Sequence, residues 1–285
     1  MADNRTPAAL RAIARLAAQA GAEVALGWRD HADRLRIEEK AGPADLVSQA
    51  DREAETAIRA VLSRRCPDDG ILGEEHGGAA GHSGVHWIID PIDGTTSYLY
   101  GRADWSVSVA AADTAGDRLL AAVVLEPALG RITEASAGDG TCLDGTRTTV
   151  SGGDDLTRAL IEVNLGTPAQ RAYTGRMVAA LTPRVRDLRR GGSAAAALAL
   201  VATGRADGAW LPGIHSWDCA AGTLLVQEAG GVVGDLTGVT PDTWPHSGDV
   251  LAGPPALWEP LRRILVAAGP GPQPLSPEAD TDGVK

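Results

Sequence analysis

With 285 residues, 44% of them hydrophobic and 22% charged, the chain has the composition of an ordinary globule that buries a large core, as one big domain or two tightly joined halves. A net charge of −11 argues against non-specific binding to nucleic acid or to an anionic membrane, because both need a cationic face. No apolar run approaches the roughly 18 residues of a membrane span. The N-terminus lacks a signal-peptide pattern, and three cysteines without CxxC spacing offer no disulfide framework, so a cytoplasmic location is expected.

Taken in order, Thr6-Pro7 reads as a helix cap followed by proline at the first helical position. Leu10, Ile13, Ala14, Ala17, Gly21 and Val24 then recur at helical spacing, giving an amphipathic helix for packing or a subunit contact. Pro43 to Val47 leads into a second helix with Val47, Ala50, Ala54, Ile58, Val61 and Leu62 as its apolar stripe. Asp51 lies off that stripe near the helix start, where a carboxylate ordinarily complements the helix dipole. Lys40, on a nearby loop, reads as a solvated surface lysine. Gly70 to Gly73 reads as a short strand delivering Glu74 and Glu75. Residues 76–84 form a glycine-rich loop whose His76 and His82 lack metal-ligand spacing.

Val85, Trp87, Ile88 and Ile89 form an apolar run of strand length. Asp90 closes it, Pro91 is expected to end the ladder, and Asp93 follows before a turn at Gly94-Thr95-Thr96 that opens a helix. Two carboxylates three residues apart, just ahead of free helix N–H groups, suit divalent cations and a phosphate. The same residues also suit a plain turn in which the aspartates cap backbone amides.

Strands are expected over 105–112, 118–125 and 131–135, with a hairpin turn at Asp144-Gly145, which implies an antiparallel sheet flanked by the helices. Residues 151–158 read as a junction. Beyond it, strands at 159–163, 185–188, 208–211 and 232–235 alternate with helices near 170–181, 193–203 and 218–229, an α/β pattern with a mixed or parallel sheet. Arg189 to Ser193 sits at a strand-to-helix turn, where the groups of Gly192 and Ser193 serve either a substrate or the loop itself. Asp218, at the start of an alanine-rich helix, would by default be its N-cap, and Cys219 a small core residue. The expected organisation is a half over 1–150, a half over 151–268 and a proline-rich disordered tail over 269–285.

Asp90-Pro91-Ile92-Asp93-Gly94-Thr95 resembles the signature of the inositol monophosphatase family of metal-dependent, lithium-sensitive phosphatases. Gly73-Glu74-Glu75 upstream and Trp217-Asp218-Cys219-Ala220-Ala221-Gly222 downstream match its companion motifs, and Ala44-Asp45-Leu46-Val47 followed by Asp51 matches a fourth. The resemblance runs from about Lys40 to Gly238. It implies a layered αβαβα sandwich of the inositol monophosphatase/fructose-1,6-bisphosphatase type, a homodimer, and a Mg²⁺-dependent phosphomonoesterase with two or three ions per site. Glu74, Asp90 and the Ile92 carbonyl would hold one metal and its water. Asp90 would bridge to a second completed by Asp93 and Asp218. Thr95, backed by Asp51 and Glu74, would orient and deprotonate the water. The amides of Gly94 and Thr95 would take phosphate oxygens, with Asp93, Gly192, Ser193 and Asp218 as further substrate contacts and Glu75 as support for Glu74.

The chemistry agrees with that donor set. A phosphate monoester repels anionic nucleophiles, and two cations about 4 Å apart neutralise it, acidify a water and stabilise the leaving alkoxide. Mg²⁺ prefers oxygen ligands, and no His or Cys cluster competes for a softer metal. Inositol-acting members carry a Glu where this chain has Leu211, which cannot accept a polyol hydroxyl's hydrogen bond. Thr96-Ser97-Tyr98 likewise replaces the more usual Thr-Asn-Phe. The expected substrate is the phosphate ester of a small polar metabolite: a sugar, cyclitol or histidinol phosphate. Alternatives are a dedicated histidinol-phosphate phosphatase, a 3′-phosphoadenosine or fructose-bisphosphate phosphatase, and, from another class, a non-catalytic regulator that keeps the fold. No nucleic-acid or membrane partner is expected.

Overall fold

A computed structural model describes residues 5–29, 31, 35–42 and 45–269. The elements in order are α1 (Pro7–Arg29), a hairpin of β1 (Ile37–Gly42) and β2 (Asp45–Ser48), α2 (Gln49–Arg65), β3 (Gly70–Gly73), β4 (Gly77–Ala79), β5 (Val85–Asp93) and α3 (Thr95–Leu99). There follow β6 (Ser106–Asp113), β7 (Leu119–Glu126), β8 (Arg131–Ser136), β9 (Gly140–Leu143), β10 (Thr146–Thr148), β11 (Leu160–Val163), α4 (Arg171–Leu181) and β12 (Asp187–Arg189). The chain closes with α5 (Ala194–Ala202), β13 (Gly208–Pro212), α6 (Ser216–Glu228), β14 (Val232–Gly234), β15 (Asp249–Gly253) and α7 (Pro255–Ala267).

These elements stack as five layers. α1 and α2 cover one face of an eight-stranded sheet ordered β10-β9-β8-β7-β6-β5-β3-β4, and α5 and α6 cover the other. A five-stranded mixed sheet, β12-β11-β13-β15-β14, lies beyond α5 and α6, with α4 and α7 outside it. The strand periodicity explains the layering. In β6, Val107, Val109 and Ala111 join the core under α1 and α2, while Ala110 and Ala112 join the core with α5 and α6. Both faces are covered, so the strand reads as a continuous apolar run from Val109 to Ala112. α5 and α6 lie between two sheets and are buried on nearly every side, hence the alanine-rich composition of α5 and the small and apolar residues of α6.

Small residues let the helices approach closely. α1 begins as its sequence indicates, with the Thr6 hydroxyl accepting the Ala9 N–H at 3.2 Å. A Cβ on Gly21 would stand 2.8 Å from Ile58 of α2, and one on Gly222 2.5 Å from Leu198. The Asp144-Gly145 hairpin forms between β9 and β10, with both residues at positive φ.

Several expectations need correction. Pro91 does not end β5; the strand continues to Asp93, with its register to β6 shifted between Asp90 and Asp93. The N–H that proline lacks therefore falls inside a bulge, where no ladder bond is lost. Val47 belongs to β2, and α2 starts only at Gln49. Asp218 is the third residue of α6 rather than its N-cap, because the helix starts at Ser216 with His215 as cap. β4 occupies part of the presumed loop, and β15 and α7 follow the last predicted strand. Gly269 is described, but the rest of the proposed tail lies outside the described residues, as do Pro43, Ala44 and the side chain of Lys40. Among the described residues no helix is long and apolar enough to cross a membrane.

Candidate active site

The bulge in β5 sets the geometry of the acidic centre. The Ile92 N–H turns back to Asp90 Oδ1 at 3.0 Å, which fixes that carboxylate at the strand mouth. Asp90 Oδ2 is buried and accepts no hydrogen bond. Asp93 faces the start of α5, where its Oδ2 accepts the Ser193 hydroxyl and the Ala195 N–H, both at 2.6 Å. Ser193 caps the same helix by accepting the Ala196 N–H at 2.8 Å and contacts the Ser106 hydroxyl at 2.9 Å. Asp218 comes from α6, its Oδ2 accepting the His215 N–H at 2.6 Å. One carboxylate oxygen each from Asp90, Asp93 and Asp218 lie within 4.8 Å of one another.

Gly94 makes this convergence possible. Its φ is +94°, and a Cβ there would meet backbone atoms of Gly192, Asp104 and Ser193 at 3.1–3.2 Å. The turn after β5 thus packs directly on the turn before α5. Gly192 is confined too: a Cβ would fall 2.1 Å from Ser97 Oγ.

Thr95 opens α3, and its hydroxyl lies 3.2 Å from both Asp51 Oδ1 and the Ile92 carbonyl. Asp51, the third residue of α2, is fully buried, and its other oxygen accepts the Ser48 N–H at 2.8 Å and the Ser48 hydroxyl at 2.5 Å. Glu74 follows β3, its N–H reaching the Ile89 carbonyl at 3.4 Å, which places it beside Asp90. It is not one of the three tightly grouped carboxylates, but its charge acts on both Asp90 and Asp218. Glu75 is not in the triad either; it raises Asp51 through its charge.

Burial dominates the electrostatics. It raises Asp90 well above the usual carboxylate range, with Glu74, Asp93, Asp218 and Asp51 adding repulsion. Burial and the neighbouring Asp218 push Asp93 up to about 7, although Ser193 and the α5 amides oppose this. Burial and Glu74 raise Asp218 to about 6, and burial raises Asp51 to about 6. A buried cluster of oxygen donors that resists ionisation, with one oxygen left unpaired, fits a hard divalent cation. Neither histidine of the 76–84 loop joins it; His76 Nδ1 instead stands 3.3 Å from Glu55.

The sequence reading passed over several residues that shape this site. Ser48 completes a capping box with Asp51, and the Ser-x-x-Asp spacing signals it. Glu55 and Arg59, four and eight residues after Asp51, continue the same helix face. Ser106 and Ser108 carried no signal, since a serine in an apolar strand is recognisable only once its neighbours are known. Ser108 donates to the Trp217 carbonyl at 3.1 Å. Leu211 is buried and lines a narrow crevice beside Ser193 with Glu162, Asn164, Arg190 and Ala194.

Comparison with known proteins gives the family. The family model described as "Inositol monophosphatase family" matches residues 7–268. The chain is 40% identical over 232 residues to an inositol-1-monophosphatase of Mesorhizobium japonicum, covering 80% of this chain and 84% of that one. It is 36% identical over 262 residues to a protein of Xylella fastidiosa named Nus factor SuhB, covering 90% and 94%. The crystal structure of extragenic suppressor protein suhB from Bartonella henselae superposes with a TM-score of 0.83 at 32% identity, covering 90% of this chain and 98% of that one. The family match over residues 7–268, the superposition and the near full-length similarity lead to one conclusion: the chain belongs to the inositol monophosphatase family.

Proposed function

We propose that this chain is a Mg²⁺-dependent phosphomonoesterase that hydrolyses the phosphate ester of a small polar metabolite. The observation that carries the reading is the unpaired Asp90 Oδ2, buried among the carboxylates of Asp93 and Asp218 beside the first amides of α3. The clustered carboxylates of Asp90, Asp93 and Asp218 fit a divalent cation, and in this reading Glu74 and the Ile92 carbonyl would complete the donor set for two or three magnesium ions. When bound, the ions would neutralise the phosphate, acidify a water and stabilise the leaving alkoxide.

The chain's own groups do the rest. The Thr95 hydroxyl, donating to Asp51, keeps its lone pairs for a water's proton and so aims that water. Asp51, which burial raises above the ordinary carboxylate range, would serve as the acceptor behind Thr95. The first amides of a helix have no intrahelical partner, so those of Gly94 and Thr95 are available to phosphate oxygens. Gly192 and Ser193 close the other side of the site, and a contribution from both the 1–150 and 151–268 halves follows. We assign the protein to the cytoplasm as a homodimer.

The substrate we favour is not inositol 1-phosphate. Leu211 offers no acceptor to a polyol, and the nearby crevice presents Glu162, Asn164 and Arg190 as its polar groups. Phosphate release from inositol 1-phosphate, histidinol phosphate, fructose 1,6-bisphosphate, sugar phosphates and 3′-phosphoadenosine 5′-phosphate, with and without Mg²⁺, tests the reading. Best turnover of a non-inositol ester supports it, and preference for inositol 1-phosphate refutes the Leu211 argument. A second reading, a non-catalytic regulator that keeps the fold, draws on relatives named Nus factor SuhB. Asp90→Asn separates the two: it abolishes Mg²⁺-dependent turnover in an enzyme and leaves a purely regulatory function intact.

A further inference from the structure

One fully buried carboxylate beside the site belongs to none of the proposed ligands. Glu55 of α2 uses both oxygens: Oε2 accepts the Glu75 N–H at 2.7 Å, and Oε1 accepts the His76 N–H at 3.2 Å and the Arg59 Nε–H at 2.6 Å. Arg59 in turn donates to the Gly77 carbonyl. Residues 75, 76 and 77, which follow Glu74 directly, are therefore all held from one helix. The residue before Glu74 is held by exclusion, because a Cβ on Gly73 would lie 2.3 Å from Glu55 Oε1. One helical turn earlier, Asp51 holds Thr95. Asp51, Glu55 and Arg59, at i, i+4 and i+8, thus line one face of α2 and reach both ends of the proposed water-orienting group.

We infer that Glu55 is a positioning residue: its carboxylate, clamped by Arg59, fixes the turn that presents Glu74 to the cation and sets Glu74 relative to Thr95. A buried acid with this many donors rigidifies what it binds, and ligand carboxylates held only by solvent lose affinity to rotational freedom. The inference rests on the cation-dependent reading above.

The test measures half-saturating Mg²⁺ by thermal shift, with no substrate present, for wild type, Glu55→Gln, Gly73→Ala and Ile58→Val. Glu55→Gln places an amide NH₂ against N–H donors, and Gly73→Ala displaces the same contact from the turn side. Both should raise the half-saturating Mg²⁺ by about 10–100-fold while saturating Mg²⁺ restores most of the turnover. Ile58→Val, on the core face of α2, should lower the Tm and leave the Mg²⁺ midpoint alone. A wild-type midpoint in Gly73→Ala overturns the inference, whether or not Glu55→Gln folds. A midpoint shift in Ile58→Val equal to that of Glu55→Gln also overturns it, since general destabilisation would then suffice. A wild-type protein that Mg²⁺ does not stabilise overturns the proposed function as well, which distinguishes the two failures.

Discussion

Asp93→Asn in the absence of divalent cations should make the protein more stable, increasingly so as the pH rises. The Asp93 carboxyl is pushed from its ordinary 3.8 up to about 7 by burial and by Asp218. A folded value above the unfolded one means that the folded chain keeps a proton the unfolded chain has lost. The stability this confers is complete below about pH 3.8 and is lost as the pH climbs through about 7, at about 1.4 kcal/mol per pH unit. Between pH 5 and pH 8 the wild type therefore loses about 2–3 kcal/mol at this one position, most of it below pH 7. Asparagine carries no charge, keeps an acceptor for Ser193 and Ala195, and turns its NH₂ toward Asp218. Its packing cost is the same at every pH, so only the growth of the difference reports the charge. One kcal/mol moves the Tm of a chain near this size by about 2–4 °C, so the variant's Tm relative to wild type should rise by about 4–12 °C from pH 5 to pH 8 in chelator. At pH 8, Mg²⁺ at about 100 times its dissociation constant returns about 2.7 kcal/mol to the wild type, and less to the variant. A Tm difference that stays constant across this range, or that shifts toward the wild type as pH rises in chelator, would refute the reasoning.

Three further outcomes follow from the geometry. Gly94→Ala puts a side chain at φ +94° against three backbone atoms at 3.1–3.2 Å; it should cost about 1–3 kcal/mol in chemical denaturation, whereas an unchanged midpoint would show that the two turns do not press on each other. Ser193→Ala removes an N-cap worth about 1 kcal/mol and one of the bonds that lower Asp93, so the pH at which Mg²⁺ half-saturates the site should move upward in a titration series. Trp87 buries its indole against α1 and α2 and donates to Asp69 at 2.8 Å; Trp87→Phe leaves that carboxylate short of a donor and should lower the Tm without moving the Mg²⁺ midpoint.

The sequence alone determined the family, through its motifs, and the order of most elements, through local features. The strand periodicity of 85–89, the Gly residue at 94 and the aspartates at 90 and 93 are short-range features, and backbone chemistry dictates what each one does. Asp51, Glu74 and Asp218 were legible only through motif resemblance, because nothing in their local spacing points at Asp90. Only the tertiary structure decided that Pro91 lies in a bulge rather than at a strand end, since a missing N–H is tolerated wherever the partner strand shifts register. It also decided that Asp218 sits in the first turn of its helix rather than at its cap and that Glu55 turns inward to hold the chain around Glu74. Burial of a charge depends on which layers close over it, and those layers come from residues as far as a hundred positions apart, as the Asp93–Ser193 bond illustrates. The chemical types of the site are written in order along the chain, whereas their distances and proton affinities exist only after the two sheets have closed around α5 and α6.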